Sequence, residues 1–313
     1  MATAYYTHPA CRVHDMGAGH PESPQRLDAI ADHLIATGLL VALDAREAGA
    51  VYERDLELAH DAGYVAAMRT FMQQVDERGT RRSLDADTVA GPGTWQAALH
   101  AAGAAVAATD AVLDGEVENA FCAVRPPGHH ATRRQAMGFC FFNNVAIAAR
   151  HALEVRGLDR VAIVDFDVHH GNGTEDIVAG DERLLMVSFF QHPLYPNSGT
   201  CPASDNLLNV PLPPYTKGPE VRKMIEALWL PRLEAFEPQM IFISAGFDAH
   251  RDDELGQLGL VEADYAWITE RIKRVAERHA NGRIVSCLEG GYNLGALARS
   301  VASHLRVLAD VAR

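Results

Sequence analysis

One stretch near the middle of the chain, VAIVDFDVHHGNG from Val161 to Gly173, constrains the fold more than any other. It begins as an apolar run rich in β-branched residues, which predicts a buried β-strand. It ends in Gly-Asn-Gly, a sequence that stops a strand and turns the chain. Asp165, Asp167 and His169 follow one another at a spacing of two. Side chains alternate across an extended chain, so these three are expected to point to one side.

Carboxylates and an imidazole at the carboxyl end of a strand are typical ligands of a divalent metal ion. The alternative is a solvated loop, which fits poorly because two acids this close repel unless a cation or hydrogen bonds compensate. A further acid, Asp248, follows a second apolar run at residues 240–247. Asp167, His169 and Asp248 are therefore predicted to hold a metal ion and to leave a position open for water and substrate. With two carboxylates among the ligands, Fe²⁺, Mn²⁺ or Co²⁺ would compete with Zn²⁺.

Strand and helix patterns alternate along the rest of the chain, which predicts one α/β domain with a mostly parallel sheet covered on both faces. Pro231 is expected to bend or break the helix that contains it. Residues 8–24 are expected to form a large exposed loop, and residues 83–93 a second loop with Asp85 and Asp87 exposed. The predicted strands are 2–7, 119–124, 160–165, 184–189, 240–248 and 283–288, and the predicted helices are 24–37, 60–78, 94–113, 143–155, 218–236, 263–279 and a last one after residue 292.

Composition and charge limit the class of protein. The chain has 313 residues, 48% of them hydrophobic, which is enough for a large core. A formal net charge of −13 argues against a nucleic-acid partner and is compatible with a cationic substrate, although net charge mainly serves solubility. Five cysteines form no CxxC pair, the chain starts without a signal-peptide pattern, and no apolar run reaches the ~20 residues of a membrane span. These features predict free thiols in a cytoplasmic protein without a membrane partner.

Polar groups follow four predicted strands, at His129-His130, Asp165 to Asn172, Asp248 and Tyr292. In open α/β sheets, ligands bind beyond the carboxyl ends of the strands, so these groups are predicted to share one active site. The paired histidines follow a rigid Pro-Pro-Gly segment and would bind metal or act as general base and acid.

The remaining polar residues of the site are given supporting roles. Asp165 and Asn172 flank the metal ligands and would orient the two histidines through their second ring nitrogens. Tyr292 follows two glycines and would donate a hydrogen bond to a developing oxyanion. A lone tyrosine after glycines is more often a packing residue, so its role depends on the residues around it.

Five segments resemble, in this order, the metal-dependent histone deacetylase superfamily. The similarity is greatest to its class II and bacterial amidohydrolase members, and it extends from the His20 loop to the last helix. The resemblance implies the arginase–deacetylase fold, with a single domain over residues 1–313 and a central parallel sheet of about eight strands flanked by helices. The segments are RPPGHH (125–130), GFCFFNNV (138–145), DFDVHHGNGT (165–174), SAGFD (244–248) and EGGY (289–292).

The resemblance also implies a role for each site residue. Zn²⁺ would lie on the three ligands named above, His130 would be the general base and acid, and His129 an electrostatic helper. Asp165 would partner His129 and Asn172 would partner His130. Asn172 stands where class I members carry Asp, which favours class II. Tyr292 matches the catalytic tyrosine of the competent deacetylases.

Substrate-contacting and cation-binding residues follow from the same resemblance. Phe139, preceded by Gly138, and Tyr195 match aromatic walls of a tunnel for an aliphatic stem. Asp87 falls near a rim residue that holds the substrate backbone, and Leu255 falls at the gatekeeper position of the tunnel mouth. The family also binds K⁺, and one such site would use Asp165, Asp167, His169, Ser188 and the carbonyl of Phe189.

The predicted activity is zinc-dependent hydrolysis of the acetamide of acetyl-lysine to an amine and acetate. An acetylpolyamine deacetylase of the same superfamily is the first alternative, since that branch has an acidic gatekeeper and Glu254 adjoins Leu255. A non-catalytic acetyl-lysine or acetate-binding module is another, which the complete catalytic set argues against. A two-manganese arginase-like enzyme is nearly excluded, because Gly171 stands where that relative needs an acid. A homo-oligomer is compatible with the sequence.

Overall fold

The chain folds around a parallel β-sheet, as the alternation of strand and helix patterns predicts. The structure, a computed structural model, describes residues 2–311. The strands are β1 (Thr3–Thr7), β2 (Asp44–Glu47), β3 (Arg82–Ser83), β4 (Val89–Ala90), β5 (Asn119–Cys122), β6 (Val161–Asp165), β7 (Leu184–Gln191), β8 (Leu207–Leu212), β9 (Met240–Ala245) and β10 (Ile284–Leu288).

Eight of these strands form one sheet in the order β2-β1-β5-β10-β9-β6-β7-β8, and all neighbouring pairs run parallel. Strands β3 and β4 pair antiparallel in a separate short hairpin. The central strands β5, β10, β9 and β6 are buried along their whole length, because both faces of the sheet are covered. The prediction of one α/β domain with a parallel sheet of about eight strands is confirmed.

Helices and short helical turns connect the strands. A 3₁₀ turn lies at Leu39–Ala42 and a π-helical turn at Ile225–Trp229. The α-helices are α1 (Ala10–Val13), α2 (Gln25–Ala36), α3 (Glu53–Leu56), α4 (Ala62–Arg78), α5 (Thr94–Leu113), α6 (Asn144–Glu154), α7 (Asn172–Val178), α8 (Gly218–Met224), α9 (Leu230–Phe236), α10 (Glu262–His279) and α11 (Leu294–Leu308).

The Ala-rich helix α5 packs closely against its neighbours because small side chains line it. Ala101 and Ala104 are fully buried. A Cβ atom at Gly103 would lie 2.0 Å from the carbonyl oxygen of Gly49, so no side chain fits at this point of contact. The bounds of α5 are those predicted.

The two edge strands β2 and β8 are missing from the prediction. The sequence of β2, DARE, is largely polar and has no apolar alternation. Strand β8 contains Pro211, which a central strand does not tolerate but an edge strand does. Both strands form because a neighbouring strand supplies hydrogen bonds, and that contact is not visible in the local sequence.

Pro231 was expected to bend or break its helix. The helix is not broken, but a π-helical turn interrupts its regular α-helical hydrogen bonding just before the proline. The chain stays helical from α8 through the π-helical turn into α9. Pro231 has no N–H and its ring clashes with the preceding turn of a regular α-helix. The wider π turn lies directly before the proline and accommodates it within a continuous helix.

The expectation of a large exposed loop at residues 8–24 is wrong. The segment contains α1, and Cys11, His14 and Glu22 are buried. The carboxylate of Glu22 accepts a hydrogen bond from Arg125 Nη2 at 2.7 Å and one from Arg26 Nη1 at 3.2 Å. A buried acid between two guanidinium groups fixes this segment against the rest of the domain.

The loop at residues 83–93 is also more ordered than predicted, because it forms the turn of the β3–β4 hairpin. Asp85 and Asp87 are partly buried, not exposed as predicted. The carboxylate of Asp85 accepts hydrogen bonds from the N–H groups of Asp87 at 3.0 Å and Thr88 at 2.6 Å. These local bonds draw the acids into the loop.

All five cysteines are free thiols, as predicted, and only Cys201 among them is exposed. Across residues 2–311, no helix combines the length and the apolar character needed to cross a membrane.

We predict that stability falls in mild acid because His60 is buried as a neutral ring. Its Nδ1 lies 2.8 Å from the Thr132 carbonyl, and its Nε2 accepts the N–H of Asn143 at 2.9 Å. Burial lowers the pKa of His60 from 6.5 to about 4. Between pH 4 and pH 6.5, His60 therefore binds a proton in the unfolded chain but not in the folded chain. This contribution is fully present above pH 6.5 and declines by up to about 3 kcal/mol as the pH falls towards 4.

Urea unfolding between pH 7.5 and pH 4.5 measures this dependence. His60→Gln is the matched variant, because its amide does not titrate in this range. We expect the variant to be less stable at neutral pH and to show a shallower loss of unfolding free energy with acid. Equal pH slopes for the two proteins would contradict the assignment.

Candidate active site

The polar segments that follow β5, β10, β9 and β6 meet at one edge of the sheet. These four strands are consecutive neighbours in the sheet order and run parallel, so their carboxyl ends lie side by side. The segments are those predicted to converge, with His129 and His130 after β5, Tyr292 after β10, Asp248 after β9 and Asp167 after β6.

Asp167, His169 and Asp248 form a three-ligand cluster. Each offers one ligand atom, and these atoms lie within 4.8 Å of one another. His169 Nδ1 is 3.0 Å from Asp167 Oδ1 and 3.2 Å from Asp248 Oδ2. Asp248 Oδ2 is buried and has no hydrogen-bond partner among the described residues. Burial and the charge of Asp167 raise the pKa of Asp248 to about 7. Two buried carboxylates and an imidazole with a free oxygen between them fit a divalent cation.

Two glycines allow the carboxylates to approach each other. A Cβ atom on Gly246 would lie 2.0 Å from Asp167 Oδ2, and one on Gly290 would lie 2.0 Å from Asp248 Oδ2. The N–H of Gly290 also donates to Asp167 Oδ2 at 2.8 Å. No other residue type fits at either position without moving a carboxylate of the cluster.

Strand β6 ends at Asp165, so Asp167 and His169 lie on a bend and not on the extended chain that the prediction assumes. Asp165 Oδ1 accepts the N–H of Asp167 at 3.1 Å, and Asp167 Oδ1 accepts the N–H of His169 at 2.9 Å. These bonds from a side chain to the backbone two residues on replace the extended conformation with a bend. After the bend, Asp167 and His169 belong to the cluster. His129 lies between the two acids, with Nδ1 3.0 Å from Asp165 Oδ2 and Nε2 3.8 Å from Asp167 Oδ1.

Each of the paired histidines contacts the partner that the resemblance implies. His129 Nδ1 is 3.0 Å from Asp165 Oδ2, and His130 Nδ1 is 2.7 Å from Asn172 Oδ1. The amide oxygen of Asn172 only accepts, so Nδ1 of His130 carries the proton and its Nε2 has the free lone pair. The two ring centroids are 4.1 Å apart.

The environment pushes the pKa values of the two rings apart. Burial lowers the pKa of His130 well below its usual value, and the charges of His129 and His169 lower it further. Burial also opposes the charged form of His129, but Asp167 and Asp165 outweigh it and raise that pKa well above the usual value. The neutral form is therefore favoured for His130 and the protonated form for His129.

Tyr292 is placed by the turn after β10. Its partly buried ring meets the edge of Phe139 at 5.9 Å, and the Arg26 guanidinium lies 5.0 Å from its centroid. Burial and the charges of Asp248 and Asp167 raise the pKa of the Tyr292 phenol well above 10. The hydroxyl therefore stays protonated and is able to donate a hydrogen bond.

Of the aromatic residues expected as tunnel walls, Tyr195 lies beside His130 and Phe139 lies beside Tyr292. Tyr195 meets the edge of the His130 ring at 5.1 Å, and Phe139 contacts Tyr292. Gly138 lies under His130, where a Cβ atom would be 2.4 Å from the ring carbon Cδ2. Phe139 has a positive φ of 69°, and its N–H donates to Thr88 Oγ1 at 3.2 Å.

The proposed rim residues lie on two segments. The backbone carbonyl of Asp87 is 3.2 Å from His20 Nε2, and His20 packs against Phe139. Burial and the neighbouring Asp85 raise the pKa of the Asp87 carboxyl. On the other segment, Leu255 is partly buried and Glu254 is exposed.

Residues of the predicted K⁺ site lie on adjacent strands. Asp165 stands opposite Ser188 in the register of β6 and β7, and Phe189 follows in β7. Ser188 is buried and its hydroxyl is 3.2 Å from Asn209 Oδ1. Asp167 is connected to these residues because its backbone N–H donates a hydrogen bond to Asp165 Oδ1.

Two residues that sequence reasoning did not assign hold the site together. Glu289 Oε2 accepts the N–H groups of Gly128 at 2.7 Å and His129 at 3.1 Å. Arg26 Nε donates to the carbonyl of Gly291 at 2.7 Å. Their hydrogen-bond partners are backbone atoms far away in the chain. No sequence pattern around Arg26 therefore indicates that it contacts the site. The only signal for Glu289 is its place beside the two glycines.

Comparison with known proteins agrees with this geometry. The model of the histone deacetylase domain family matches residues 20–308. A histone deacetylase-like amidohydrolase of Pseudomonas aeruginosa is 40% identical over 283 residues, which cover 88% of this chain and 73% of that protein. A probable deacetylase of Archaeoglobus fulgidus is 38% identical over 309 residues, which cover 95% of this chain and 83% of that protein.

A solved structure agrees as well. The crystal structure of the HDA15 HD domain matches with a TM-score of 0.91 at 33% identity, and the match covers 99% of this chain and 88% of that one. The fold and the site define an amidohydrolase of the deacetylase type. This chain belongs to the histone deacetylase family.

Proposed function

We propose that the protein is a zinc-dependent deacetylase that hydrolyses the acetamide of acetyl-lysine to an amine and acetate, and that residues 1–313 form one deacetylase domain. The observation that carries the proposal is the meeting of the three-ligand cluster, His130 and Tyr292 at one sheet edge. Metal-assisted amide hydrolysis needs a metal site, a general base and an oxyanion donor, and these residues come from the ends of four neighbouring strands.

The cluster of Asp167, His169 and Asp248 would hold Zn²⁺, with Fe²⁺, Mn²⁺ or Co²⁺ as substitutes. A bound divalent ion would polarise the acetyl carbonyl and acidify a water molecule. A K⁺ ion on the neighbouring group that includes Asp165 and Ser188 is proposed as a structural cation.

His130 moves the proton in this scheme. Its free Nε2 takes a proton from water during attack on the acetyl carbon, and returns it to the nitrogen of the leaving amine. The contact with Asn172 keeps Nδ1 protonated and so keeps Nε2 available. His129, cationic beside Asp165, adds positive charge where the oxyanion develops.

Tyr292 stabilises the oxyanion in this scheme, since burial and the charges of Asp248 and Asp167 raise the pKa of its phenol and keep the hydroxyl a donor. Phe139 and Tyr195 would flank the aliphatic stem of the substrate and exclude water from it. A neutral acetamide on a long stem suits such a slot better than a charged group does.

An acetylated polyamine is the second candidate substrate, because the exposed acid Glu254 adjoins Leu255 and would attract a cationic chain. We expect an acetyl-lysine peptide to exceed N-acetylputrescine in kcat/KM by at least about tenfold. Leu255→Glu should shift the ratio towards the polyamine. Glu254→Gln, the matched control, should change it by less than about twofold.

Steady-state kinetics on both substrates checks this prediction. A wild-type preference for N-acetylputrescine that Glu254→Gln abolishes would favour the polyamine function. A non-catalytic acetyl-lysine or acetate-binding module would bind the peptide and release no acetate, so acetate release distinguishes an enzyme from such a module.

A further inference from the structure

Asp253 is not among the predicted site residues, yet its carboxylate accepts a hydrogen bond from the backbone of Tyr292, which is one of them. The residue is 6% exposed. One oxygen, Oδ2, accepts the N–H of Tyr292 at 2.7 Å and the N–H of Asn293 at 2.9 Å. The other, Oδ1, accepts the N–H of Leu255 at 3.0 Å. The side chain thus joins the segment after β9 to the turn after β10.

Backbone donors compensate the charge of this acid. Among the described residues, no basic side chain forms an ion pair with Asp253, and its oxygens face three N–H groups. Hydrogen bonds to an ionised carboxylate are roughly twice as strong as neutral ones. A buried acid in this position therefore contributes a firm contact to each of the two segments.

The peptide unit between Gly291 and Tyr292 is held at both ends. Arg26 Nε donates to its carbonyl oxygen at 2.7 Å, and Asp253 Oδ2 accepts its N–H at 2.7 Å. Gly291 has a φ of 118°, a backbone conformation that residues other than glycine rarely adopt. The same Asp253 oxygen also accepts the N–H of Asn293, so the peptide units on both sides of the Tyr292 Cα are held, and with them the direction in which the side chain leaves the backbone.

We propose that Asp253 is a positioning residue that sets the Tyr292 hydroxyl for oxyanion stabilisation. The inference rests on the proposed role of Tyr292. Asp253 touches neither substrate nor cation in this scheme and acts through the backbone of the tyrosine. A displacement of about 1 Å at a catalytic group costs as much as ~100-fold in rate, so loss of this contact should be visible in turnover.

Asp253→Asn is the primary test, because it keeps the shape and replaces one accepting oxygen by an amide that only donates. We expect kcat to fall about 10- to 100-fold, with KM within about twofold and metal content unchanged. Asp252→Asn is the matched control, since Asp252 is an exposed acid next in the chain, and we expect it to leave kcat unchanged.

A double-mutant cycle with Tyr292→Phe separates positioning from general destabilisation. If Asp253 acts through the hydroxyl, the double variant should be no slower than Tyr292→Phe alone. Additive losses, an unchanged kcat in Asp253→Asn, or a raised KM at constant kcat would each overturn the proposal. A fully active Tyr292→Phe would instead overturn the proposed function.

Asp253→Ser provides a second variant if the asparagine protein does not fold. It leaves a polar space that water can fill, and the same cycle with Tyr292→Phe applies to it. Thermal unfolding of each protein identifies the variant to use. Additive losses in the serine cycle would overturn the proposal in the same way.

Discussion

Asp248→Ala is expected to abolish divalent-cation binding and, with it, deacetylation. The variant removes one of the two carboxylates of the three-ligand cluster. It also removes Oδ1, which accepts the N–H of Val168 at 2.9 Å and so fixes the bend between Asp167 and His169. Both losses act on the same site, so we expect affinity for Zn²⁺ to fall by more than the ~100-fold typical of a lost supporting contact.

Metal analysis of protein that has been chelated and then reloaded measures this effect. Asp248→Asn separates the two causes, because its amide oxygen still accepts from Val168 while the charge is gone. Asp252→Ala is the control for loss of a nearby exposed acid and should bind metal normally. A full equivalent of Zn²⁺ on folded Asp248→Ala would show that the cluster is not the metal site.

Tyr292→Phe is expected to lower kcat by about 10²- to 10³-fold while metal content and fold stay unchanged. The variant removes the hydroxyl and keeps the ring contacts with Phe139 and Arg26. The loss should fall on kcat because the hydrogen bond strengthens as charge develops on the oxygen.

Tyr265→Phe is the matched control for this variant. Tyr265 is fully buried against Phe247, and its hydroxyl has no hydrogen-bond partner among the described residues. Removing that oxygen should change kcat by less than about twofold. Turnover of Tyr292→Phe close to that of the control would contradict the oxyanion role.

The core of the sheet was predictable because the information is local. Strands β6, β9 and β10 are continuous apolar runs that end in polar residues, and they coincide with the predicted strands within a few residues. Edge strands carry no such run. Their formation depends on hydrogen bonds from a neighbour that lies far away in the sequence.

The residues of the three-ligand cluster were visible for a similar reason, since Asp167, His169 and Asp248 follow the ends of strands. Residues that support them were not. Arg26 and Asp253 form hydrogen bonds with backbone atoms on other segments. Every residue has these backbone atoms, so the sequence does not indicate which of them a side chain contacts. The bend after Asp165 was also not predictable, because it depends on a hydrogen bond from the Asp167 N–H to the Asp165 carboxylate.

The buried carboxylate of Glu22 connects the front of the chain to the candidate active site. It accepts a hydrogen bond from Arg26, which in turn donates to the carbonyl of Gly291 beside Tyr292. A shortened protein that begins at α2 would leave Arg26 and Arg125 as two guanidinium groups without their shared counter-charge. An uncompensated buried charge costs about 3–5 kcal/mol, a large fraction of the ~5–15 kcal/mol that keeps a domain folded. Truncation at the front would therefore destabilise the domain strongly without removing any residue of the candidate active site.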